Sequence, residues 1–287
     1  MEKGRAPVPD WAAPPFHRFL NGLEDLLTLL HLAMRGISSL RGMPRLVEVL
    51  HHLDEDSQEN DPERQEAQEA LERAKKEAAV AEQEVDGGFP LLHAQAVVTL
   101  WGSLEDLIRV FIALLLRHDA DAMRSEGIQR LKVRVGDLLV LDEASRAEFL
   151  VEQLDRDISG PLRQGANRFE SLLQPFGLSG EVQSDVRDAL FELHNVRNLH
   201  AHRQGYADRR FCEACPWLDA HEGKYFRVTH QALHQYSAAV SQYVLTLIHR
   251  IGHRQGWTTE EIDAHTLKHL PRVQKKRGRA ADLATGE

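Results

Sequence analysis

A chain of 287 residues is long enough for one large domain or two small ones, and 42% hydrophobic with 28% charged residues allows a real core inside a solvated surface. An aromatic content of only 6%, long Leu/Ala/Glu/Arg stretches and few Val/Ile/Thr runs argue against a β-rich build and for an all-α one. The net charge of −9 argues against a dedicated nucleic-acid coat protein and leaves room only for a local basic patch.

Pro14-Pro15 opens a first helix, predicted over Phe16 to Arg35 with Leu20, Leu23, Leu27 and Leu30 on one face. A shorter helix is predicted from Pro44 to Leu53, and the polar, acidic run Asp54 to Glu63 reads as an exposed linker. From Arg64 to Val85, Ala67, Leu71, Ala74, Ala78, Ala81 and Val85 recur at spacings of three and four, with Glu69/Arg73 and Glu72/Lys76 able to pair one turn apart. This solvated helix with a narrow alanine seam either packs on its own domain or forms a coiled contact with a partner. Gly87-Gly88 and Pro90 end it.

Leu91 to Arg117 reads as a long, mostly buried helix with Trp101, Leu104, Ile108, Phe111 and Leu115 along one stripe. Its internal Glu105, Asp106 and Arg109 argue against a membrane span. Trp101 reads as core; Ser103 and Glu105 either point toward the Arg197–His202 stretch or, the preferred reading, lie on the helix surface. Further helices are predicted around Ala144 to Asp157, Pro161 to Leu173, Glu181 to His200 (Val182, Val186, Leu190 and Leu193 on one stripe) and Thr229 to Ile251. Between the last two, Gln204 to Val228 is rich in Gly, Arg, Cys and Pro and reads as an ordered loop with a short hairpin at Gly223. Arg272 to Glu287, with Lys275, Lys276, Arg277 and Arg279, is expected to be disordered. The expected organisation is an N-terminal helical extension over residues 1–85, a helical bundle over 86–256, and a C-terminal helix and basic tail over 257–287.

The 2 cysteines, Cys212 and Cys215, rule out a disulfide framework and favour a reducing compartment. Met1 to Pro15 lacks the apolar core of a signal peptide, so a cytoplasmic location is expected. The Cys-x₂-Cys spacing is half a zinc site without a second pair, and His265/His269 one turn apart has no acidic companion. Neither supports a metal or other cofactor.

Chemistry concentrates in Arg197-Asn198-Leu199-His200-Ala201-His202. Arginine is a permanent cation whose fork of donors fits phosphate oxygens, and histidine exchanges protons near neutrality. RNA self-cleavage needs both: a base for the 2′-OH and a cation for the developing charge. On an ideal helix Arg197 and His202 stand about 140° apart, whereas Asn198 and His202 share a face. The spacing suits a distorted helix or a site completed by a second copy across a two-fold axis. A polar helix end, with Arg and His favoured by the C-terminal dipole, explains the same residues. Nearby, Tyr206, Arg209 and Arg210 form a basic-aromatic cluster that either holds a single strand or is simply solvated. Glu192 either fixes Arg197 or is a solvated helix charge.

This stretch resembles the HEPN superfamily of helical-bundle proteins, whose RNase members carry Arg, usually a polar residue, then His after four to six intervening positions. Arg197, Asn198 and His202 match with four between them. The resemblance extends to the apolar helix beginning His93-Ala-Gln-Ala-Val-Val-Thr-Leu-Trp101. It also takes in Arg203-Gln-Gly205 and the segment Arg209-Arg210-Phe211 to Cys215-Pro216-Trp217, which look like the loop of the toxin- and defence-associated RiboL-PSP-like branch. It covers about Pro90 to Arg254.

The resemblance implies an up-and-down helical bundle acting as a metal-independent endoribonuclease, with its site assembled at a homodimer interface. His202 would then be general base or acid, Arg197 the phosphate ligand and Asn198 the orienting amide. Arg203, Tyr206, Arg209 and Arg210 would bind RNA, and His200 and Glu192 would support. Products would carry 2′,3′-cyclic phosphate and 5′-OH ends, and an antitoxin or regulatory protein would restrain the activity. The competing expectation is a non-catalytic module of the same shape that binds a partner protein, a nucleotide or RNA.

Overall fold

The computed structural model describes residues 6–53, 62–158 and 164–269; most of the expected acidic linker and the whole basic tail lie outside them. Among the described residues the chain is helical throughout, with no strand and one isolated antiparallel bridge. No helix among them is long and apolar enough to cross a membrane.

The centre is α4 (Pro90–His118). Pro90 starts it, because a first-turn position has no N–H to lose, and Phe89 turns into it at a left-handed φ of 59°. Its apolar residues run nearly all the way round the helix: Val97, Leu100, Trp101, Leu104, Ile108, Phe111 and Ile112 are all buried. A helix apolar over most of its circumference must be largely surrounded. It is enclosed by α1 (Ala13–Leu40), α8 (Glu143–Asp157), α10 (Ser184–Arg203) and α12 (His230–Arg254). Each fully buried large side chain contributes about 1.5–3 kcal/mol. At its start the buried His93 donates Nδ1–H to the Val228 carbonyl at 3.0 Å, tying α4 to the approach to α12.

α1 is longer at both ends than its predicted span, Phe16 to Arg35. Gly36 does not break it, and Ser38 and Ser39 donate to the Met34 and Arg35 carbonyls of the turn before. Phe16 meets Phe111 edge to face, so α1 shares the core of α4. α2 (Met43–Leu53) and α1 both pack against α3 (Pro62–Asp86). Ala74 and Ala81 of the alanine seam are buried there, within the chain itself. One continuous apolar cluster runs from Val8 to Ile262 of α13 (Thr259–His269).

Three short helices, α5 (Ala120–Met123), α6 (Glu126–Gln129) and α7 (Val135–Leu139), fill a region for which no helix is predicted. Each is about one turn long, too short to repeat an apolar period. The helix predicted from Pro161 is described from Gly165, as α9 (Gly165–Leu173). A clamp on α9 sets the entry to α10: Glu170 accepts from Tyr243 Oη at 2.7 Å, from Arg250 at 2.8 Å and from the Gly180 N–H at 2.8 Å.

The stretch Gln204 to Val228 is more than the expected loop. Asp208 caps a six-residue helix, α11 (Arg209–Ala214), by accepting from the Phe211 N–H at 2.8 Å, and a 3₁₀ turn follows at Pro216–Leu218. The expected hairpin is a single bridge, Tyr206 against Tyr225, that closes this insertion, with Gly223 at φ 76° in the adjoining turn.

Candidate functional site

α10 carries Val186, Leu190 and Leu193 inward at spacings of four and three. The same rhythm continues into polar residues: Arg197 comes four after Leu193, and His200 three after that. Both are half-buried, whereas His202 is exposed on another side of the helix. α10 stays regular through Arg203, which corrects the expectation of a distorted helix. Within one chain the structure does not bring Arg197 and His202 together.

What it brings to Arg197 is a chain of alternating charges between α4, α8, α9 and α10. Arg109 donates to Asp155 at 2.7 Å, and Arg168 holds Asp155 through two bonds of 3.2 and 2.8 Å. Arg168 also donates to Glu105, whose other oxygen lies 3.5 Å from Arg197. The Glu105 and Arg168 side chains are each only 16% exposed, so each relies on the other's charge. Burial works to raise the Asp155 carboxyl, but its bonds to Arg168 and Arg109 outweigh it, and the pKa ends lowered.

Arg197 also donates to Asn198 Oδ1 at 2.9 Å, while Asn198 Nδ2 lies 2.9 Å from His194 Nε2. An arginine only donates, so the Asn198 carbonyl must face it and the amide nitrogen must face His194. His194 therefore accepts through Nε2 and carries its proton on Nδ1. Burial, followed by the charges of Arg168, Arg197 and Arg210, pushes the His194 pKa down to about 4. The ring sits edge-on to Trp101 with centroids 4.9 Å apart. The amide is thus engaged with Arg197 and His194 within the chain.

The pKa of His194 has a consequence for stability. Unfolded, it takes up its proton near 6.5; folded, it resists until about 4, so acid favours unfolding. Its contribution is complete above 6.5 and falls by up to about 3 kcal/mol as the pH drops toward 4. Burial lowers His93 and His200 too, with the same sign. Denaturant melts from neutral pH to about 4.5 should show a falling midpoint, and His194→Gln, which keeps an acceptor and cannot titrate, should flatten the slope. An unchanged slope in that variant would remove His194 as its source.

The other expected site residues separate. Glu192 accepts from Tyr236 Oη and Trp217 Nε1, both at 2.6 Å, so it does not fix Arg197. That role belongs to Glu105, which corrects its reading as helix surface. Arg203 pairs with Asp208 at 3.5 Å and Arg209 with Glu213 at 2.7 Å, while Tyr206 and Arg210 are exposed. Cys212 and Cys215 are free thiols, and burial, then Glu192, pushes Cys215 up to about 12, so it stays a protonated thiol at neutral pH. Among the described residues no group of three or more His, Cys, Asp or Glu is placed to hold a metal.

Arg168 and His194 were missed by sequence reasoning, and Glu105 was assigned to the helix surface. A carboxylate inside a mostly apolar helix was a signal for Glu105, and the one-turn spacing to Asn198 was a signal for His194. Arg168 had none.

The fold and this site define an all-helical protein with an arginine–carboxylate seam at its central helix. The chain matches no protein-family model, no curated protein and no solved structure.

Proposed function

We propose that this protein is a metal-independent endoribonuclease with a site composed across a homodimer. The observation that carries the proposal is the Arg197–Asn198 pair, preset by His194, on the same uninterrupted helix as an exposed His202. In this reading His202 takes the 2′-OH proton and the 2′-oxygen attacks the adjacent phosphorus. The P–O5′ bond breaks, and the 5′-oxygen leaves with the proton that His202 has taken up. Arg197, from the other copy, holds the phosphate oxygens as charge builds. Products are a 2′,3′-cyclic phosphate and a 5′-OH, and an inhibiting partner protein restrains the activity.

A second reading, a non-catalytic binding module, is favoured by one feature: Glu105 already pairs with Arg197. Incubation with cellular RNA in EDTA separates the two. Wild type should cut and leave cyclic-phosphate ends. His202→Ala should lose about 10²–10⁴-fold and Arg197→Ala about 10²–10³-fold. Equal cutting by the variants, or none by wild type, would favour the binding module.

A further inference from the structure

We infer that Tyr206 and Tyr225 form a stacking subsite for one unpaired base of a single-stranded RNA. The identity of the strand rests on the endoribonuclease reading; the platform itself rests on geometry. α10 ends with two successive left-handed residues, Gln204 at φ 56° and Gly205 at φ 81°. They turn the chain sharply enough for Tyr206 to pair with Tyr225 in the antiparallel bridge. Ala207 donates to the Lys224 carbonyl at 2.9 Å and Phe226 to the Gly205 carbonyl at 2.8 Å, so both tyrosine backbones are held.

Gly205 leaves no space for a side chain. A Cβ there would lie 2.5 Å from the Tyr225 ring and 2.9 Å from the His200 ring. The three rings form a perpendicular series from the inner stripe of α10 to the surface. His200 meets Tyr225 at 5.8 Å and 72°, and Tyr225 meets Tyr206 at 5.7 Å and 78°. Tyr206 is 54% exposed and Tyr225 37%. Left-handed backbone at a non-glycine residue costs energy, and here it is spent on holding two aromatic rings at the surface.

Rigid exposed aromatic faces suit nucleobases, which all present a π-face. Arg210, Lys224 and Arg227 are exposed on the same insertion and its return, where they can track phosphates. His200, at the inner end of the ring series, follows Arg197 by one turn, which sets the subsite next to the proposed phosphate ligand. A stacked base is held without being identified, so the subsite tolerates any base.

The test is fluorescence anisotropy of the full chain with a labelled 2′-O-methyl oligouridine, which cannot be cut, and with an abasic strand of the same length. Tyr206→Ala should weaken oligouridine binding about 10–100-fold, while Tyr206→Phe and Tyr225→Phe bind like wild type. The abasic strand should bind wild type and Tyr206→Ala alike. Unchanged binding by Tyr206→Ala, equal affinity of wild type for both strands, or no binding by wild type would overturn the subsite. The same proteins assayed for cleavage in EDTA keep the two proposals apart. Cleavage by wild type with Tyr206-independent binding removes only the platform. Tyr206-dependent binding with no cleavage by any protein removes only the nuclease.

Discussion

Mixing the Arg197→Ala and His202→Ala proteins is expected to restore RNA cleavage to about a quarter of the wild-type level, although each alone is nearly inactive. The expectation follows from the regularity of α10. Along an unbroken helix Arg197 and His202 stand about 140° apart and about 7.5 Å along the axis. A guanidinium on the phosphate and an imidazole at the 2′-OH must both come within about 3 Å of one phosphodiester. A second copy related by a two-fold axis supplies the missing group. A mixed dimer then pairs the intact arginine of one subunit with the intact histidine of the other, and its second site is empty of both. With random exchange half the dimers are mixed and half their sites are whole. His202 is exposed, so His202→Ala should melt like wild type and serve as the folding control. Failure of the mixture to recover, with wild type active and monomeric by light scattering, would remove the composite site.

Replacing Glu105 by alanine should cost about 3–5 kcal/mol of stability, seen as a fall in Tm of roughly 10 °C. Glu105 stands between Arg168 and Arg197, whose side chains are 16% and 23% exposed. Without it, Arg197 loses its ion pair and Arg168 keeps only Asp155, which it already shares with Arg109. Removing one partner of a buried pair is costlier than the pair was favourable, because the remaining charge stays away from water. Glu105→Gln keeps a carbonyl acceptor for one guanidinium and should recover part of the loss. An unchanged Tm for Glu105→Ala would mean that water screens the seam.

Much of the architecture was legible along the chain. Apolar spacing of three and four located the long helices to within a few residues, because that period comes from the helix itself. The stretch Arg197 to His202 was legible as the place where chemistry concentrates. The same period, carried past Leu193, turns Arg197 and His200 inward and His202 outward. The short helices α5, α6, α7 and α11 were not legible, since so few residues cannot display a repeat; α5 and α11 rest on aspartate caps and α6 buries Ile128.

By itself, then, the sequence determined an all-helical chain with a long, mostly buried helix and an Arg-Asn-His stretch near the end of another. Only the tertiary structure decided what surrounds Arg197. Glu105 reaches it from 92 residues away, and Arg168 and Asp155 complete the seam from two further helices. The pairing of Tyr206 with Tyr225 across the α11 insertion was decided in the same way. Periodicity records which side of its own helix a residue occupies. Which charges meet depends on where separate helices cross, and that follows from the packing of all their apolar faces together.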